Sequence, residues 1–192
     1  MFNDKAHSGD AAVAGLVAKT GFSEGSKGGG VYHVECVGQD GQIKWTGDMH
    51  NLVVNEGLQN MNTEYFTGST YTAAFFLGLV TGPGSGTTYA AADTLASHAG
   101  WTEYTDYSGS RKAVTFGTAT TADPSVISNS ASPASFTISG GGGVVAGAFL
   151  CTVASGTSGV LFSEADFNSP GDRTVVAGDT LNVTYTFSLD AA

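Results

Sequence analysis

The clearest pattern in the chain lies near its C-terminus, where Leu181, Val183, Tyr185, Phe187 and Leu189 alternate with Asn182, Thr184, Thr186 and Ser188. A period of two predicts a strand over 180–189 with one buried face, Tyr185 and Phe187 inside and Thr184 and Thr186 outside. The same period occurs twice near the N-terminal side. Tyr32, Val34 and Cys36 alternate with His33 and Glu35, and Ile43 and Trp45 alternate with Gln42 and Lys44. Gly38-Gln39-Asp40-Gly41 between these runs predicts a hairpin. Ala73 to Val80 is almost unbroken in its apolar character, which suits a strand covered on both faces, with a turn over 81–86. Further strands are expected over 112–117, 134–139, 144–153 and 159–162.

The period becomes helical after Asn55, which is placed to cap a helix carrying Leu58, Met61 and Tyr65 on one face. A short second helix is expected over 90–98. Residues 1–30 read as an arm, in which 11–19 have the pattern of two helical turns and 21–30 are too rich in glycine for a regular element. Such an arm is expected to order on contact with a neighbour. The predicted fold is therefore mainly β: a β-sandwich or jelly-roll-like domain over 31–192, with one substantial helix and a flexible Gly-rich arm over 1–30. No repeat of roughly 20 to 50 residues points to a solenoid or propeller.

Charge narrows the functional classes. Seven Lys+Arg stand against 17 Asp+Glu, a formal net charge of -10, so the basic surface that phosphate contact requires is missing and direct nucleic-acid binding is not expected. No run approaches the roughly 18 apolar residues of a membrane span, and Met1-Phe2-Asn3-Asp4-Lys5 lacks the layout of a signal peptide, so the chain is expected in a cytosol. Charged residues make up only 12% of the chain and glycine accounts for 28 residues, a composition shared by lectin-like, fibre and coat proteins. Cys36 and Cys151 form no metal or redox pair and are read as buried thiols.

Candidate chemistry is sparse. Gly21-Phe22-Ser23-Glu24-Gly25 matches the G-x-S-x-G pattern, but a nucleophile elbow needs a preceding strand and a following helix, whereas here a helical pattern precedes and a Gly-rich coil follows. His7, His33, His50 and His98 show no metal-ligand spacing, and Glu164 and Asp166 read as a solvent-facing pair rather than a glycosidase couple. The Asn182-Val183-Thr184 triplet reads as the polar face of a strand, and the glycine runs at 28–30 and 140–143 lack the Lys-Ser/Thr of a phosphate loop. No catalytic residue, cofactor or metal site is assigned. Trp101, Tyr104 and Tyr107, at a spacing of three, are the candidates for a partner or glycan contact, with a core position for Trp101 as the competing reading.

Three stretches, Asn51 to Leu58, Ala96 to Glu103 and Ala177 to Tyr185, resemble a family of tailed-bacteriophage virion structural proteins. The resemblance implies a part of the virion, assembled in the host cytoplasm, and brings no enzymatic residues with it. An auxiliary capsid protein of the decoration or cement type heads the resulting readings, a homo-oligomer with a trimer favoured, packed against the major capsid protein or other virion proteins. A tail or head-fibre component, or a carbohydrate-binding module for host attachment, are the alternatives.

Overall fold

The computed structural model describes residues 27–67, 74–82, 87–167 and 171–191. The G-x-S-x-G stretch and the helical turns expected over 11–19 lie outside these residues. In chain order the elements are β1 (Lys27–Val37), β2 (Ile43–His50), β3 (Leu52–Val53), α1 (Asn55–Phe66), β4 (Phe75–Thr81), β5 (Glu103–Tyr104), β6 (Lys112–Val114), β7 (Ser125–Ser128), β8 (Ala134–Thr137), β9 (Gly143–Cys151), β10 (Leu161–Asp166), β11 (Arg173–Val175) and β12 (Thr180–Asp190). They form a β-sandwich of two antiparallel sheets. One sheet has the order β2-β1-β12, with β7 and β8 both paired to the far side of β12. The other runs β3-β10-β9-β4-β5, with β11 beside β9 and β6 beside β4.

The alternation along β12 sets the core. Leu181, Val183 and Tyr185 are fully buried and Phe187 packs at the core's margin, while Thr184 and Thr186 are half-buried on the other face. Facing them across the sandwich are Leu77, Leu79 and Leu150 from β4 and β9. The expected hairpin of β1 and β2 forms, closed by the Gly41 amide donating to the Gly38 carbonyl at 2.9 Å.

β1 begins four residues earlier than the pattern predicts. Gly28, Gly29 and Gly30 pair with Leu189, Ser188 and Phe187, so this part of the expected arm is strand. A partner strand supplies the order that the glycines lack alone. At Gly30 the close approach itself demands glycine: a Cβ there would lie 2.7 Å from the Thr186 carbonyl oxygen and 2.8 Å from the Tyr185 hydroxyl.

The second sheet is covered on both faces, as the unbroken apolar run of β4 predicts. Its outer face carries Val80, Ala146, Phe149, Cys151 and Leu161, beneath Leu95 and Trp101 of the segment 87–102. That segment consists of turns rather than the helix expected over 90–98. The Asp93 carboxylate accepts the Ala90 amide at 3.2 Å and the Thr94 hydroxyl accepts the Ser97 amide at 3.0 Å. Local side-chain bonds of this kind compete with the helical ladder.

α1 also departs from expectation at its start and on its faces. Val54, with φ -76° and ψ 162°, holds the cap position, so Asn55 is the first helical residue and not the cap. Gly57 is buried against β10, because a Cβ there would stand 2.3 Å from the Phe162 carbonyl oxygen. The glycine seats the helix on that strand. Leu58 and Tyr65, spaced for a buried face, are turned outward, and Met61 alone of the three packs on the core.

Candidate functional site

The last turn of α1 overhangs the edge of the sandwich and leaves Tyr65 and Phe66 82% and 76% exposed, their rings 4.9 Å apart and nearly perpendicular. Beneath them lies a groove of about 730 Å³. Its apolar walls are Met61, Tyr65, Phe66, Phe75 and Leu189, with Asn60 and Glu64 among its polar lining. Phe75 ties the floor to the core, since its ring meets Phe116 at 5.8 Å and Phe162 at 5.7 Å, and Phe162 in turn meets Phe187 at 5.6 Å. The floor is thus aromatic and continuous with the core, whereas the rim rings stand on the last turn of the helix.

Trp101, Tyr104 and Tyr107 do not form a surface patch. All three are at most 5% exposed. Trp101 belongs to the outer cluster, stacked on His98 at 3.8 Å and tilted against Phe149 at 4.9 Å. Tyr104 and Tyr107 belong to the core between the sheets, Tyr107 with its ring edge on Phe136 at 4.9 Å. A spacing of three shares a face only on a helix, and this stretch is short strand and turn. The partner or glycan contact expected of these three side chains is corrected accordingly to a packing role.

Glu164 is a second correction. It is fully buried on β10 rather than turned to solvent, and its Oε2 accepts the Trp101 indole N–H at 2.8 Å. Burial pushes its carboxyl up to about 8, with nearby Asp93 adding to the effect and the Trp101 bond opposing it. Asp166, two residues on, is also raised, by burial and by Asp172. The folded chain keeps a proton on Glu164 that the unfolded chain releases above about 4.5. Its contribution to stability is therefore full below that pH and is lost as the pH rises toward about 8. Denaturant midpoints measured across this window should fall with rising pH, and Glu164→Gln, which keeps an acceptor for Trp101, should flatten the fall. An unchanged slope in the variant would mean that another group is responsible.

Three polar side chains, Asn51, Glu56 and Asp179, pin separate elements together. Asn51 accepts the Gly30 amide at 2.6 Å and donates to the Tyr185 hydroxyl at 2.8 Å. Glu56 accepts the amides of Leu95 at 3.2 Å and Leu161 at 2.7 Å, fastening the covering segment to β10. Asp179 accepts the Lys44 ammonium at 2.6 Å and the Val176 amide at 3.0 Å. Sequence reasoning missed Glu56 and Asp179 because a lone acid gives no signal until its partners are known.

Cys36 and Cys151 are both buried and free, as expected. His33 bonds to Asp48 at 2.7 Å on the exposed face of the hairpin. Among the described residues no group of three or more His, Cys, Asp or Glu is arranged to hold a metal ion, and no helix is long and apolar enough to cross a membrane. Comparison with family models, with curated proteins and with solved structures gives no match.

Proposed function

We propose that the chain is a non-catalytic structural subunit of a bacteriophage virion, an auxiliary capsid protein that works by burying the apolar end of its sandwich against a neighbouring protein. The observation that carries this reading is the row of bare apolar side chains along α1 and the adjoining strand end: Leu58, Tyr65, Phe66 and Leu189 are all exposed. Protein surfaces seldom leave such side chains together without a partner, and each Å² covered contributes about 25 cal/mol before association costs. The small share of charged residues, 12% of the chain, keeps the desolvation cost of contact small, and the resemblance read from 51–58, 96–103 and 177–185 is what turns this reading toward a virion.

The test is the copy number of the chain in purified phage particles, together with the incorporation of Phe66→Asp. Copies in proportion to the capsomers are expected, and the variant, whose ring is exposed, should fold normally yet fail to enter the particle. A few copies per particle would make it a tail or fibre component instead. Normal incorporation of Phe66→Asp would remove this end of the sandwich from the assembly contact.

A further inference from the structure

The first sheet has an open margin on the side away from β7 and β8. β2 ends that sheet, and among the described residues no strand pairs with its outer side. The Asn51 amide donates to the Gly30 carbonyl at 2.9 Å, and the register continues through Tyr32 opposite Met49 and Val34 opposite Gly47. Antiparallel pairs alternate, so Met49 and Gly47 turn their backbone groups to β1, whereas Thr46 and Asp48 turn theirs to the open edge. Such edges are commonly blunted by a bulge. Here the register shift lies at the hairpin end, by Lys44, and leaves Trp45 to His50 regular.

Beside this edge stands Arg173. Lys44 is paired with Asp179 and Arg111 with Glu103, but Arg173 has neither a hydrogen bond nor an ion pair among the described residues. Its guanidinium carbon lies 5.4 Å from the centre of the Trp45 ring and 5.6 Å from that of Phe167. A Cβ on Gly47 would come 3.6 Å from Arg173 Nη2, so the cation sits against the inner face of the edge strand. The Trp45 indole nitrogen and Arg173 Nε are both buried without a partner, on side chains that are half-buried at the margin. Both atoms are donors only, and a buried donor left unpaired is costly.

A carboxylate is the acceptor that matches a guanidinium fork. A second copy of β2 brings the wrong charges: antiparallel self-pairing about Thr46 or Gly47 sets two Arg173 side chains together, and about Asp48 two carboxylates. We propose that an extended segment of another protein adds to β2 as a strand, with an Asp or Glu facing Gly47 and bonded to Arg173. Opposite Asp48 the same segment carries a basic or neutral side chain. Trp45 pairs near the last residue of β1, whereas Leu189 of the groove pairs near the first, so this contact is separate from the apolar end at α1 and stands whether or not that end is buried on assembly.

Nitrogen–proton NMR spectra of the full chain, titrated with the capped peptide Thr-Val-Lys-Glu-Thr-Val-Thr, test it. The Trp45 indole and Arg173 Nε protons should shift together and saturably, and at saturation the Thr46 and Asp48 amides should exchange at least about tenfold more slowly. The same peptide with Gln for Glu should bind at least about tenfold more weakly, because it lacks the charge-assisted bond. Arg173→Gln should erase that preference, and Arg173→Lys, which keeps the charge without the fork, should retain part of it. Unchanged β9 and β12 amides in both variants report an intact fold. Equal affinity of the two peptides for the unaltered chain would overturn the proposal. So would acetate binding as tightly as the Glu peptide, which would make this a small-anion site. Thr46 and Asp48 amides that are slow without peptide and quicken on dilution would put a second copy on the edge and overturn it too.

Discussion

Replacing Arg111 by alanine should cost about 3–5 kcal/mol, the largest loss expected from any single side chain outside the apolar core. Arg111 is only 8% exposed, and its guanidinium donates to both Glu103 carboxylate oxygens, at 2.9 and 2.7 Å. Nη1 donates to the carbonyls of Val153 and Gly156 at 3.3 and 3.0 Å, and the group lies 5.1 Å from the centre of the Phe149 ring. One cation thus ties β5, the loop after β9 and the outer cluster together. Alanine would leave the partly buried Glu103 carboxylate without its cation and the Gly156 carbonyl without this donor, which is costlier than never having built the pair. Arg111→Lys should recover only part of the loss, because an ammonium cannot reproduce the fork. Equilibrium denaturation of the three proteins measures this directly. A cost below about 1 kcal/mol for Arg111→Ala would show that the loop after β9 holds its place by other means.

Gly57→Ala sets two effects of opposite sign against each other. Alanine is favoured over glycine inside a helix by about 1 kcal/mol. Its methyl, however, would meet the Phe162 carbonyl oxygen at 2.3 Å and the Phe162 Cα at 2.9 Å, and neither backbone atom can swing aside. The helix must lift away from β10, which loosens the Glu56 bonds to Leu95 and Leu161 on the same turn. A net loss of about 2–4 kcal/mol is expected, with Tyr65 and Phe66 displaced from the groove rim. Thermal unfolding of the variant decides the sign, and a neutral or stabilising outcome would mean that α1 is not seated on β10 as described.

Much of the sandwich can be read from the chain because burial on one face leaves a period of two. Leu181 to Tyr185 and Tyr32 to Cys36 show it directly, and the unbroken run of β4 marks a strand covered twice. What escapes the pattern has identifiable causes. Gly28 to Gly30 carry no side chains to alternate, so their place in β1 depends on β12, which lies more than 150 residues away in sequence. Ala90 to His98 has helical composition, but Asp93 and Thr94 divert its backbone into turns. Trp101, Tyr104 and Tyr107 suggest a shared face only if a helix is assumed. Glu164 sits among Leu161, Phe162 and Ala165 on a strand buried from both sides, and the apolar neighbours on each side of it were the available warning. For the groove the limit is more basic. A stripe such as Leu58, Met61 and Tyr65 has the same spacing whether it faces the core or a partner, and here Gly57 decides the orientation.

The position of β12 has a consequence for biosynthesis. It follows the other eleven described strands in sequence, yet it is central to its sheet, with β1 along one side and both β7 and β8 along the other. While the ribosome is still translating residues before Thr180, β1 has one edge unpaired, and β7 and β8 have no strand to join. Those open edges are sites for pairing with other nascent chains. The first sheet closes only when residues 180–190 have left the exit tunnel, so the chain is committed to late, long-range folding, with low temperature and modest expression rates favouring the native product.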